Sequence, residues 1–68
     1  MEYTAEQVKA LRRRAGVSQE ELARQLDVST FTVSRWERLP EPFRVYGKSA
    51  RALRMLEAKY AAQPDGAS

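Results

Sequence analysis

A chain of 68 residues amounts to one domain with a thin core. With no Cys and no His, disulfides, the usual zinc clusters and Cys- or His-based catalysis are excluded, and stability must come from packed helices or a partner chain. The net charge is +3, with 12 Lys+Arg against 9 Asp+Glu; arginine dominates, and its fork suits phosphate oxygens and guanine edges as well as a merely solvated surface.

No strand pattern is present; apolar residues recur at helical spacing between Gly, Pro and short polar caps. The first helix starts at Thr4, which with Gln7 has capping-box spacing, while Tyr3 and Val8 stand as a hydrophobic staple. Val8, Leu11 and Ala15 give it an apolar face, and Gly16 ends it in the left-handed conformation. The second helix starts at Ser18, with a second box through Glu21 and a second staple from Val17 to Leu22. Leu22, Ala23 and Leu26 form its buried stripe, and it ends at Asp27, a residue that tolerates positive φ.

The third helix starts at Ser29 and runs to about Arg38, with Val28 and Val33 as a third staple and Val33 and Trp36 facing inward. Pro40 and Pro42 forbid regular helix in the next segment, whose Phe43, Val45 and Tyr46 are apolar enough to pack on the core or to form a dimer seam. Ser49 is placed to cap a last helix from Ala50 to about Ala61, with Leu53, Leu56 and Tyr60 on one side. The domain is expected over residues 1–62, and 63–68 as a flexible tail. The charged opening, Met1 to Ala10, lacks the apolar run of a signal peptide, and no stretch nears the roughly 20 apolar residues of a membrane span. A soluble, cytoplasmic protein is expected.

The informative feature is the junction of the second and third helices. Only Asp27 and Val28 separate them before the cap at Ser29, and so tight a turn forces a steep crossing. The third helix then presents Thr30, Phe31, Thr32, Ser34, Arg35 and Arg38 outward, with no carboxylate before Glu37. Hydroxyls and guanidiniums donate to phosphates and bases, and an exposed Phe packs on a thymine methyl. The alternative for Phe31 is a protein contact. Catalysis has no foothold: Glu20 and Glu21 are adjacent and point about 100° apart on a helix, and there is no Gly-rich phosphate loop. No enzyme activity, cofactor or metal is expected.

Val17-Ser18-Gln19-Glu20-Glu21-Leu22-Ala23 and Leu26-Asp27-Val28-Ser29-Thr30-Phe31-Thr32-Val33-Ser34-Arg35-Trp36-Glu37 resemble the helix-turn-helix of lambda-type phage repressors, Cro proteins and related bacterial regulators. The resemblance covers about Val8 to Leu56. It implies an all-α, compact bundle of four or five helices. It also implies a sequence-specific transcriptional regulator, most simply a repressor, reading the major groove of double-stranded DNA with helix 29–38. By the same resemblance Gln19 reaches a phosphate or a base edge, and Thr30, Phe31 and Arg35 touch bases. Ser29, Thr32 and Ser34 make phosphate or water-mediated contacts, Arg38 and Arg44 hold the DNA backbone, and Arg12 with Glu37 forms a partly buried ion pair. Two departures stand out: Asp27 occupies a position where the family more often has Gly, and Arg38-Leu39 follows Glu37 in place of an Asn-Gly type of turn. The partners implied are double-stranded DNA, a second copy on a two-fold operator, or, in the competing reading, a toxin or transcription-machinery protein bound by the same fold. RNA is the weaker alternative, because A-form duplexes hide their major groove.

Overall fold

Polar caps fix where the first three helices begin in the computed structural model, which describes residues 2–61. Helix α1 (Ala5–Ala15) opens on a complete capping box: Thr4 Oγ1 accepts from the Gln7 N–H at 3.2 Å, and Gln7 Oε1 accepts from the Thr4 N–H at 2.9 Å. At α2 (Gln19–Leu26) only half of the expected box forms. Ser18 Oγ accepts from the Glu21 N–H at 3.1 Å, but the Glu21 carboxylate turns along the helix to Arg24 at 3.1 Å and Gln25 at 3.3 Å. A charged neighbour one turn on outcompetes a lone backbone donor. Ser29 Oγ caps α3 (Thr30–Trp36) by accepting from the Thr32 N–H at 3.1 Å.

The first two helices end in left-handed residues, Gly16 at φ 71° and Asp27 at φ 60°. Each reversal lets an N–H beyond the helix reach back to an orphan carbonyl: Val17 to Arg12 at 3.3 Å, Val28 to Ala23 at 3.0 Å. Asp27 is the one non-Gly residue with positive φ among those described, and its short polar side chain limits the cost of that conformation. Helix α3 stops at Trp36 and does not continue to Arg38. Beyond Trp36 the chain tightens into i→i−3 bonds, Arg38 to Arg35 at 3.0 Å and Leu39 to Trp36 at 3.4 Å, and Pro40 disfavours helical backbone at Leu39.

The Pro-flanked segment holds a two-residue strand absent from the sequence expectation. β2 (Phe43–Arg44) pairs antiparallel with β1 (Glu2–Tyr3), Glu2 opposite Arg44 and Tyr3 opposite Phe43. Two residues are too few to carry a period. The extended chain alternates: Phe43 is half-buried against the Trp36 ring at 5.7 Å, Val45 is buried, and Tyr46 is 69 % exposed. The expected packing of this segment therefore holds for Phe43 and Val45 but not for Tyr46. Helix α4 (Gly47–Tyr60) starts three residues before the expected Ala50, through Gly47 at φ 63°. Ser49 lies inside that helix and is not its cap. Its hydroxyl donates to the Leu26 carbonyl at 3.4 Å, satisfying an orphan acceptor at the end of α2. The expected tail at 63–68 lies outside the described residues.

The fold is all-α, with four helices and one short ladder among the described residues. Val8 and Leu11 of α1, Leu22, Ala23 and Leu26 of α2, Val33 of α3, and Ala50 and Leu53 of α4 meet in one core with Tyr3 and Val45. Each of the three staples has a member in that core, with Val17 and Val28 packed against its edge. Helix α4 packs on α1 and α2, while α3 packs on α2.

Tyr3 ties the N-terminal strand to α4: its hydroxyl donates to Glu57 Oε1 at 2.8 Å. Burial first, then that hydrogen bond and the Glu57 charge, push the Tyr3 phenol up from 10.0 to about 12, against a smaller opposing effect of Arg54. The folded protein thus holds this proton longer than the unfolded chain does. The contribution is whole below pH 10 and is lost as pH rises through about 12. Wild type is expected to lose roughly 2 kcal/mol between those limits relative to Tyr3→Phe, whose curve lacks this component. Urea unfolding of both chains across that range checks it, and parallel curves would refute the assignment.

Candidate nucleic-acid interface

A helix can read DNA only if it is held firmly on one side and left bare on the other. The holding is done by α2 and by a polar clasp. Glu37, at the C-cap of α3, is 5 % exposed. Arg12 Nε donates to its Oε2 at 2.7 Å, and Arg12 Nη2 to its Oε1 at 3.1 Å. The planar guanidinium fork suits a carboxylate edge-on, and charge-assisted bonds of this kind are short. Arg12 Nη1 also donates to the Val17 carbonyl at 3.3 Å. One side chain of α1 therefore binds the α1–α2 turn and the end of α3 together. Among the described residues no buried side-chain polar atom lacks a partner.

Gln19, the first residue of α2, joins this clasp: its Nε2 donates to Glu37 Oε1 at 3.1 Å. Nothing in the sequence signals that bond. The two residues are 18 apart and meet only because α2 and α3 cross at the turn. The bond fixes the amide plane and leaves a second N–H and the carbonyl oxygen of Gln19 uncommitted to Glu37.

The bare side of α3 carries Thr30, Phe31 and Arg35, all exposed, with Phe31 at 69 %. Phe31 and Arg35 stand one turn apart on one face, as Thr30 and Ser34 do on its flank. At 1.5 Å per residue, this seven-residue helix is about 10 Å long, comparable with the roughly 12 Å width of the major groove. Ser29 and Thr32 share a hydrogen bond between their hydroxyls at 3.0 Å, so each has lone pairs or a proton left for one outside partner. Ser34 is half-buried, and its carbonyl accepts from Arg38 Nε at 3.3 Å, which folds Arg38 back along the helix end. Arg44 lies apart from α3, on β2, with Glu2 Oε2 at 3.8 Å across the ladder. Both members of that pair are about two-thirds exposed, and such pairs contribute little, so Arg44 can exchange Glu2 for a phosphate at small cost.

The first-turn cap matters to this presentation. Ser29→Ala is expected to cost about 1 kcal/mol of stability through the lost bond to the Thr32 N–H. A thermal melt measures it, and an unchanged midpoint would mean that the cap is redundant.

No curated protein and no solved structure matches the chain. A family model described as a helix-turn-helix domain matches residues 5–63. That span takes in α1 through α4, with the clasp and the bare face of α3 inside it. The chain belongs to the helix-turn-helix domain family of DNA-binding proteins.

Proposed function

We propose that this protein is a sequence-specific transcriptional regulator that inserts α3 into the major groove of double-stranded DNA and acts most simply as a repressor, by occupying a promoter. The carrying observation is the bare, carboxylate-free face of α3, with Phe31 and Arg35 projecting side by side from a helix locked to the core. In this reading Arg35 forks onto a guanine edge, Thr30 bonds a neighbouring base, and Phe31 covers a thymine methyl. Ser29, Thr32 and Ser34 meet phosphates or bound water. Gln19 turns its second amide N–H to a phosphate while the first stays on Glu37. Arg38 and Arg44 hold the backbone on either side. Two copies on a two-fold operator, about one helical turn apart, double the small number of base contacts that one domain makes.

Selection of bound duplexes from a random library tests this. One motif should be enriched, and its affinity should exceed that of random DNA by about a thousandfold or more at moderate salt. Binding should also weaken with salt, by about 0.9 in log–log slope for each phosphate held. Equal affinity for enriched and random duplexes would remove sequence specificity from the reading.

A further inference from the structure

Among the described residues, helix α4 leaves one flank uncovered. Gly47, Ala50, Arg51, Arg54, Met55 and Ala58 line a groove of about 490 Å³ along it. The run from Gly47 to Ala58 is about 16 Å, three turns of helix. Its floor is made of small residues, which let another backbone approach closely. Met55 stands on it 67 % exposed, a flexible, polarizable side chain suited to an apolar contact. Arg51 and Arg54 border the groove, and neither has a carboxylate within ion-pair distance among the described residues. Lys48, at the same end of the helix, adds a third exposed cation. The charged residues that line the groove are all positive.

That charge pattern selects the occupant. A second copy docked by two-fold symmetry would set the same patch against itself, Arg51 and Arg54 facing Arg51 and Arg54, and like charges across an interface are repulsive. A DNA backbone meets the arginines but leaves Met55 and the apolar floor uncovered, and phosphate contacts need no apolar surface. A helix with one apolar stripe and carboxylates beside it answers both features, in the helix-in-groove manner. We propose that this flank of α4 is a docking groove for an acidic amphipathic helix of a partner protein, anchored on Met55 and flanked by ion pairs to Arg51 and Arg54. The inference does not depend on the DNA reading, since α3 lies outside the groove.

The probe is a labelled helical peptide of about 14 residues, with a Leu stripe and Glu on both sides of it. It is compared with the same peptide carrying Lys for Glu and with a composition-matched scramble. On the full chain, the Glu peptide should move the backbone amide signals of Gly47 to Ala58 and leave those of Thr30 to Trp36 in place. M55D and the double variant R51E/R54E should each weaken it about tenfold or more. R13E/R14E, on exposed positions of α1, should not. Circular dichroism reports whether each variant folds, and R51Q/R54Q, which only removes charge, should give an intermediate loss if M55D unfolds. Several results overturn the proposal: no preference for Glu over Lys or over the scramble, an unchanged affinity in R51E/R54E, a concentration-dependent dimer that M55D abolishes, or duplex DNA shifting the groove amides. The last two identify a second copy and a nucleic acid as the occupant. Each of these results leaves the specificity measurement on α3 separately readable.

Discussion

Arg12→Ala is expected to lose about 3–5 kcal/mol of folding free energy, because it leaves a carboxylate buried without its cation. A small domain has roughly 5–15 kcal/mol in total, and one with so thin a core sits toward the low end. The variant should therefore be partly unfolded at room temperature. Glu37 cannot move to water, since it is 5 % exposed and sits at the end of α3 over the α1–α2 turn. Gln19 stays as a neutral donor at 3.1 Å, which offsets only part of the loss. Glu37→Ala should be milder, about 2–3 kcal/mol, because the orphan is then a guanidinium with 24 % of its side chain already in contact with solvent. The double variant should lie near the milder single one, not at the sum. Urea midpoints for the three chains test this. If the Arg12→Ala midpoint matches wild type, or if the two losses add, the clasp does not hold α3.

The helices were legible because their punctuation is local. Thr4, Ser18 and Ser29 each cap the helix that the sequence assigns to them, and Gly16 and Asp27 end theirs in the left-handed conformation. These devices act within a few residues, so spacing alone exposes them. What the sequence hid is non-local. β1 and β2 are two residues each and pair across some forty positions. Ser49 looks like a cap because it precedes an apolar run, yet its partner is Leu26, 23 residues away. The start of α4 depends on the positive φ of Gly47, and Gly in a sequence marks a reversal without saying which side of it is helical. At the interface, hydroxyl and guanidinium content marked α3 as the bare helix. The bond from Gln19 to Glu37 waits on the crossing of two helices and has no signature in spacing. The family model accounts for the helix-turn-helix, while the bases that the side chains of α3 would meet under the proposed function depend on DNA shape and register.

Base readout and backbone grip predict different patterns of loss, and Arg35 and Arg38 separate them. Arg35→Ala is expected to cost about 1–3 kcal/mol per bound copy, concentrated at one base pair of each half-site. Two copies on one operator would lose about twice that, of the order of half a typical margin of specific over random binding, roughly 4–10 kcal/mol. The reason is geometric. Arg35 is exposed on the same face as Phe31, and its side chain has no hydrogen bond or ion pair among the described residues to give up on entering the groove. Arg38 follows the end of α3, with Nε on the Ser34 carbonyl at 3.3 Å, and in the proposed reading its other N–H groups take a phosphate. Arg38→Ala should weaken all duplexes evenly and lower the salt slope by about 0.9, without changing the preferred sequence. The selection experiment, repeated for each variant over a salt series, reads both quantities at once. A relaxed preference at one position with an unchanged salt slope assigns Arg35 to a base. An even loss with a reduced slope would move Arg35 to the backbone and leave Thr30 and Phe31 as the side chains from which specificity must come.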